Sequence, residues 1–117
     1  MKRTEQSLHI SVAQYLILAL DPKIPWTTIG HGGGGAVRGA ILKAMGVKPG
    51  WPDIMIFVLP RPIFLELKSK KGSTSPAQLA VHHLLRSRGA ATYVCRSVEE
   101  VVDVLTLEGL PLRAKIA

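Results

Sequence analysis

The sequence predicts an α/β domain with a small mixed β-sheet flanked by helices, and three observations point there. Two apolar, β-branched runs, Asp53 to Leu59 and Ile63 to Lys68, are joined only by Pro60-Arg61-Pro62. That link is too short for a crossover helix, so the two strands pair antiparallel. Segments with apolar residues at helical spacing stand before and after this pair. A further β-branched run, Ala91 to Arg96, lies between two such segments. Strands and helices thus alternate in a chain of 117 residues and 12.7 kDa, a size that suits one domain, residues 1–117, with one hydrophobic core.

Taken in order, Leu8, Val12, Leu16 and Ala19 recur at helical spacing from Thr4 to about Leu20, with Thr4 as N-cap and Asp21-Pro22 as the stop. Ile24 to Gly30 is short, β-branched and flanked by breakers, which predicts a strand. The glycine run Gly32 to Gly35 precedes a short helix over Ala36 to Met45, and Gly46, Pro49, Gly50 and Pro52 then mark an irregular loop. The nearly continuous apolar content of Asp53 to Leu59 predicts a strand covered on both faces. Ser75-Pro76-Ala77-Gln78 combines an N-cap serine, a proline in the first helical position and a capping-box glutamine, and predicts a helix to about Arg88, closed by Gly89. Ser97-Val98-Glu99-Glu100 predicts a second capping box and a last helix, which buries Val98, Val101, Val102 and Leu105 and ends near Gly109.

The charge is strongly basic. Lys and Arg number 15 against 8 Asp and Glu, a formal net charge of +7. Residues 1–98 carry 13 basic and 4 acidic groups, a surplus of nine, whereas residues 99–117 are net acidic. A polyanion, nucleic acid before membrane, is the first partner such a surplus suggests; a basic protein with no such partner is an equal alternative on charge alone. The composition, 47% hydrophobic and 20% charged, excludes a disordered chain. The longest apolar runs are far short of a bilayer span, and Thr4-Glu5-Gln6-Ser7 interrupts any secretory signal, so a cytoplasmic protein is expected. The lone cysteine, Cys95, sits in an apolar β-branched stretch and reads as a buried, inert thiol.

The chemistry concentrates at one end of the central strand pair. Side chains alternate along a strand, so Phe64, Glu66 and Lys68 share one face and Ile63, Leu65 and Leu67 the other. Asp53 opens the neighbouring strand, and hairpin pairing brings it towards Glu66 and Lys68. Two hard carboxylate ligands with open positions suit Mg²⁺ or Mn²⁺, which keep waters and take further ligands from a phosphate substrate. A lysine beside them can orient or deprotonate an attacking water. A structural Glu66–Lys68 ion pair is the alternative.

Gly50-Trp51-Pro52-Asp53, then Glu66-Leu67-Lys68, then Ser75-Pro76-Ala77-Gln78, closed by Tyr93-Val94-Cys95-Arg96-Ser97-Val98-Glu99-Glu100, resembles the PD-(D/E)XK nuclease superfamily and, more narrowly, its VRR-NUC (virus-type replication-repair nuclease) domain. The resemblance runs from about Glu5 to Leu105. It implies a restriction-endonuclease-like core and a Mg²⁺-dependent DNA endonuclease, with Mn²⁺ able to substitute. Asp53 and Glu66 would ligate the metal, the main-chain carbonyl of Leu67 would complete the protein's ligands, and Lys68 would handle the attacking water. Gln78 matches the family's helix glutamine beside that lysine, although a capping box alone also explains it. Glu5 matches a first-helix glutamate that binds metal or its waters; an acid in the first turn of a helix is also favoured by the dipole. Stand-alone members resemble Holliday-junction resolvases and act as homodimers, so the resemblance further implies a homodimer on branched DNA such as a four-way junction. The apolar faces of the first helix and of Ala36 to Met45 are the candidate interface, unless the domain's own core fills them. A DNA-binding module of the same fold with negligible cleavage is the alternative function.

Gly30-His31-Gly32-Gly33-Gly34-Gly35 satisfies the G-x-G-x-x-G pattern of dinucleotide sites. A helix before the supposed first strand, an acid (Asp53) that starts its strand rather than ending it, and the three-residue link argue against that fold. The run reads instead as a loop that follows a DNA backbone, with His31, Arg38 and Lys43 nearby, or as a plain connector. Lys70 and Lys71 read as phosphate contacts or a solvated turn. Trp51 stacks on a base or packs, and packing is favoured. His82 and His83 lack an i+4 histidine partner and are set aside as metal ligands.

Overall fold

The computed structural model describes residues 4–29 and 35–113. Helices α1 (Glu5–Ala19), α2 (Gly35–Ala44), α3 (Pro76–Ser87) and α4 (Val98–Leu107) and strands β1 (Trp26–Thr28), β2 (Ile54–Ile56), β3 (Ile63–Leu67) and β4 (Ala91–Cys95) follow one another in the order read from the sequence. Gly30 and the expected loop residues His31, Gly32, Gly33 and Gly34 lie outside the described residues. The strands form one sheet in the order β1-β2-β3-β4. β1 and β3 run antiparallel to β2, and β4 runs parallel to β3, so the sheet is mixed.

One face of the sheet carries the core. Leu8, Val12, Leu16 and Ala19 of α1 and Val101 and Leu105 of α4 bury themselves against Ile54, Ile56, Ile63, Leu65, Leu67, Ala91 and Cys95. The stripe on α1 is the one its spacing predicts, with Tyr15 added. Thr4 caps α1: its Oγ1 accepts the Ser7 N–H while Ser7 Oγ accepts the Thr4 N–H. Asp21 ends the helix by taking the Lys23 N–H on its carboxylate. Cys95 lies in this core, and burial pushes its thiol up to about 12, as an inert cysteine requires.

Three details differ from expectation. β2 is shorter than the apolar run that encodes it, although main-chain bonds continue past both ends, from Asp53 N–H to Leu65 O and from Phe57 N–H to Pro25 O. Its second face is only partly covered: Met55 is half-buried and Phe57 exposed, because α3 lies against β4 and reaches β3 through His82, beyond the span of β2. At α4, Ser97 Oγ accepts the Glu100 N–H, but the Glu100 carboxylate accepts the N–H of Arg96 instead of Ser97, so the box is not reciprocal.

α2 buries no side chain, and Val37 and Met45 project into solvent. The outer face of α1 likewise exposes Ile10, Ile17 and Leu18. Among the described residues, no helix is long and apolar enough to cross a membrane.

Candidate active site

The β2–β3 register fixes the site. Ile54 stands opposite Leu65, so Asp53, one residue before β2, enters at the Leu65–Leu67 end of β3, where its side chain lines one cleft with that of Glu66 on the face away from the core. The Asp53 main chain pairs on both sides, its N–H to Leu65 O at 3.0 Å and its carbonyl to the Ile29 N–H at 2.8 Å. Its side chain folds back along β3, where Oδ2 accepts the Leu67 N–H at 2.7 Å.

Glu66 is 2% exposed. Burial, and secondly the neighbouring Asp53 carboxylate, push it up to about 8; Glu5 adds to the rise and Lys68 opposes it. Two carboxylates forced together in a place that disfavours their charge form an arrangement that a cation relieves.

Lys68 leaves β3 on the same face. Its main-chain N–H is held by Cys95 O, and its Nζ lies 3.9 Å from Glu5 Oε1, across the cleft on the first turn of α1. The alternative, a Glu66–Lys68 ion pair, does not form; the cationic partner of Glu5 is Lys68. Gln78 enters from α3. Its Oε1 accepts the Ser75 N–H at 2.9 Å, which completes the capping box and leaves its amide N–H groups for the cleft. Gln78 therefore both caps α3 and lines the cleft.

Asp53, Glu66, Leu67, Lys68, Gln78 and Glu5 line a single open cleft of about 420 Å³. The loop before β2 is pressed onto α3 to make it. Gly50, at φ +91°, passes so close to the first turn of α3 that a Cβ would stand 2.5 Å from Ala77 O. Trp51 meets Phe64 edge to face at 6.0 Å, so it packs, as favoured.

Arg38 and Lys43 lie on exposed α2 and do not line this cleft. Lys70 and Lys71 sit on the exposed turn after β3 and border a neighbouring hollow with Arg96 and Ser97. Arg96 shapes that turn: its guanidinium donates to the carbonyls of Ser69, at 2.7 Å, and of Gly72.

The sequence reading missed two histidines. His9 joins the cleft wall and lies 3.0 Å from Thr28 Oγ1. His82 is buried on α3, with Nε2 3.1 Å from Glu66 Oε1. The signal was helical spacing: His9 follows Glu5 by four residues and His82 follows Gln78 by four, so each shares a face with a residue already singled out. Asking only whether a second histidine stood four residues away hid His82, and His9 was not weighed as a site residue.

The donor set was tested against a divalent cation on its own chemistry. Among the described residues, no group of three or more His, Cys, Asp or Glu side chains is arranged to hold a metal. Two adjoining carboxylates on an open cleft fit a hard ion that retains water and accepts substrate oxygens, as Mg²⁺ and Mn²⁺ do, and do not fit a site closed by protein ligands.

No family model and no curated protein matches this sequence. Among solved structures, the chain is similar to one described as a VRR_NUC domain protein, at a TM-score of 0.64 and 21% identity over 91% of this chain and 88% of that one. This chain therefore has the fold of a VRR_NUC domain protein, with the Asp53–Glu66–Lys68 cleft at one end of its two central strands.

Proposed function

We propose that this protein is a metal-dependent DNA endonuclease, cytoplasmic and bacterial or phage-encoded, that hydrolyses phosphodiester bonds at the Asp53–Glu66–Lys68 cleft. The observation that carries the reading is the convergence of six residues, from α1, the start of β2, β3 and α3, on one cleft in a chain with this fold. Asp53 and Glu66 hold Mg²⁺ or Mn²⁺, with the Leu67 carbonyl as a further ligand and Glu5 reaching the metal or its waters. The bound cation supplies Lewis-acid polarisation of the scissile phosphate.

The other steps belong to the chain. Lys68, its side chain only 12% exposed, orients the attacking water and offsets the charge that develops on the phosphate. Gln78 offers amide N–H groups to the same water or phosphate. Arg38, Lys43, Lys70 and Lys71 contact the DNA backbone, which positions the substrate without reading its sequence.

The preferred substrate is branched DNA, and the working form is a homodimer. Exposed apolar side chains on α1 and α2 support the dimer, and a two-fold axis presents two identical clefts to symmetry-related strands of a four-way junction. Labelled four-way junction, flap and linear duplex, each incubated with Mg²⁺, Mn²⁺ or EDTA, test the reading. Paired symmetric nicks on the junction, weaker cutting of linear duplex and no cutting in EDTA are expected, with a dimer by light scattering. Binding without cutting in either metal would make the protein a DNA-binding module of this fold. A monomer that nicks one strand of a flap would reject the dimer and leave the nuclease.

A further inference from the structure

We infer that His82 is a positioning residue of the proposed nuclease centre: from the buried face of α3 it holds one oxygen of Glu66 and so aims the other at the cleft. The inference rests on the metal-dependent reading above, and the geometry carries it further. Each of the two carboxyl groups has one oxygen paired with a protein nitrogen. Asp53 Oδ2 takes the Leu67 main-chain N–H, and Glu66 Oε1 lies 3.1 Å from His82 Nε2. Asp53 Oδ1 and Glu66 Oε2 are the oxygens that remain.

A main-chain donor fixed in a β-ladder cannot swing, and His82 is nearly as constrained. Its side chain is 2% exposed, and it rides on a helix whose first turn is locked by the Ser75–Gln78 box. The imidazole carries at least one N–H in either of its charge states. A carboxylate can only accept, so when Glu66 is ionised that proton sits on Nε2. The same helix thus delivers two groups from one face: Gln78 into the cleft, and His82 behind the carboxylate. Outer partners of this kind, which hydrogen-bond a ligating side chain, contribute about 10–100-fold to metal affinity.

The test is Mn²⁺ titration by calorimetry on wild type, H82L, H82Q and H82N, with the melting curve of each metal-free protein as a check of folding. Glutamine carries its N–H as many bonds from Cα as histidine Nε2, whereas asparagine stops one bond short. H82L and H82N are expected to bind Mn²⁺ about 10–100-fold more weakly, and H82Q to stay within about threefold of wild type. Should H82L fail to fold, the H82Q and H82N pair decides alone, because both retain a polar side chain. Wild-type affinity in H82N, or in a folded H82L, would overturn the inference. So would equal weakening in H82Q and H82N, which points to packing instead of a directed N–H. The parent reading is tested in the same experiment by Asp53→Ala: a wild type that binds Mn²⁺ no better than this variant would remove the metal centre itself, and the role of His82 with it.

Discussion

Asp53→Ala, Glu66→Gln and Lys68→Ala are each expected to lower Mg²⁺-dependent DNA cleavage by about a thousandfold or more, while DNA binding survives. The carboxylates and the lysine act only where charge develops on the phosphate, so their loss falls on the chemical step and not on encounter with the polyanion. Removing a carboxylate also removes negative charge that repels DNA, so binding by the first two variants should match or exceed wild type. Glutamine is preferred at Glu66 because it retains an oxygen for the His82 N–H while abolishing the charge. Gel-shift titration in Ca²⁺ beside single-turnover cleavage in Mg²⁺ separates the two effects. Cleavage within tenfold of wild type in all three variants would reject the assignment.

Gly50→Ala is expected to cost about 3 kcal/mol and to slow cleavage by about 10–100-fold, although Gly50 does not itself line the cleft. Two effects add. A side chain at φ +91° is strained, and its Cβ would stand 2.5 Å from Ala77 O and 3.1 Å from Gln78 N. These are main-chain atoms of the helix that carries Gln78 and His82, so relief requires the Asp53 loop and α3 to move apart. Gly89 supplies the control. It has φ +95° at the end of α3, and a Cβ placed there would meet nothing within 4 Å, so Gly89→Ala incurs only the backbone strain, about 1 kcal/mol, and leaves cleavage unchanged. Urea denaturation and cleavage rates on the two variants give the comparison. Equal costs would show that the close approach at Gly50 contributes nothing.

What could be read from the sequence follows from what each pattern encodes. The period-two face of Phe64, Glu66 and Lys68 and the short Pro60-Arg61-Pro62 link were enough to bring Asp53 beside Glu66, because strand pairing across a short link is local arithmetic. The caps at Thr4 and Ser75 were equally legible, being written within four residues. The non-reciprocal cap at Ser97 was not, since Arg96 N–H and Ser97 N–H compete for the same Glu100 carboxylate and only the backbone path decides. His82 escaped for a different reason. Its partner lies 16 residues away on another element, and a buried histidine gives no sign of its function until the strand beneath it is known. The span of α3 over the sheet, which leaves Phe57 exposed, is likewise a packing outcome that apolar content alone does not encode.

The central claim is that Asp53 and Glu66 together hold a divalent cation. Crystals soaked in Mn²⁺ and measured at the manganese absorption edge test it most directly. An anomalous peak is expected in the cleft, within coordination distance of one oxygen from each carboxylate and absent from Asp53→Ala crystals soaked alike. A cleft without a peak, or a peak that persists in the Asp53→Ala crystals, would contradict it.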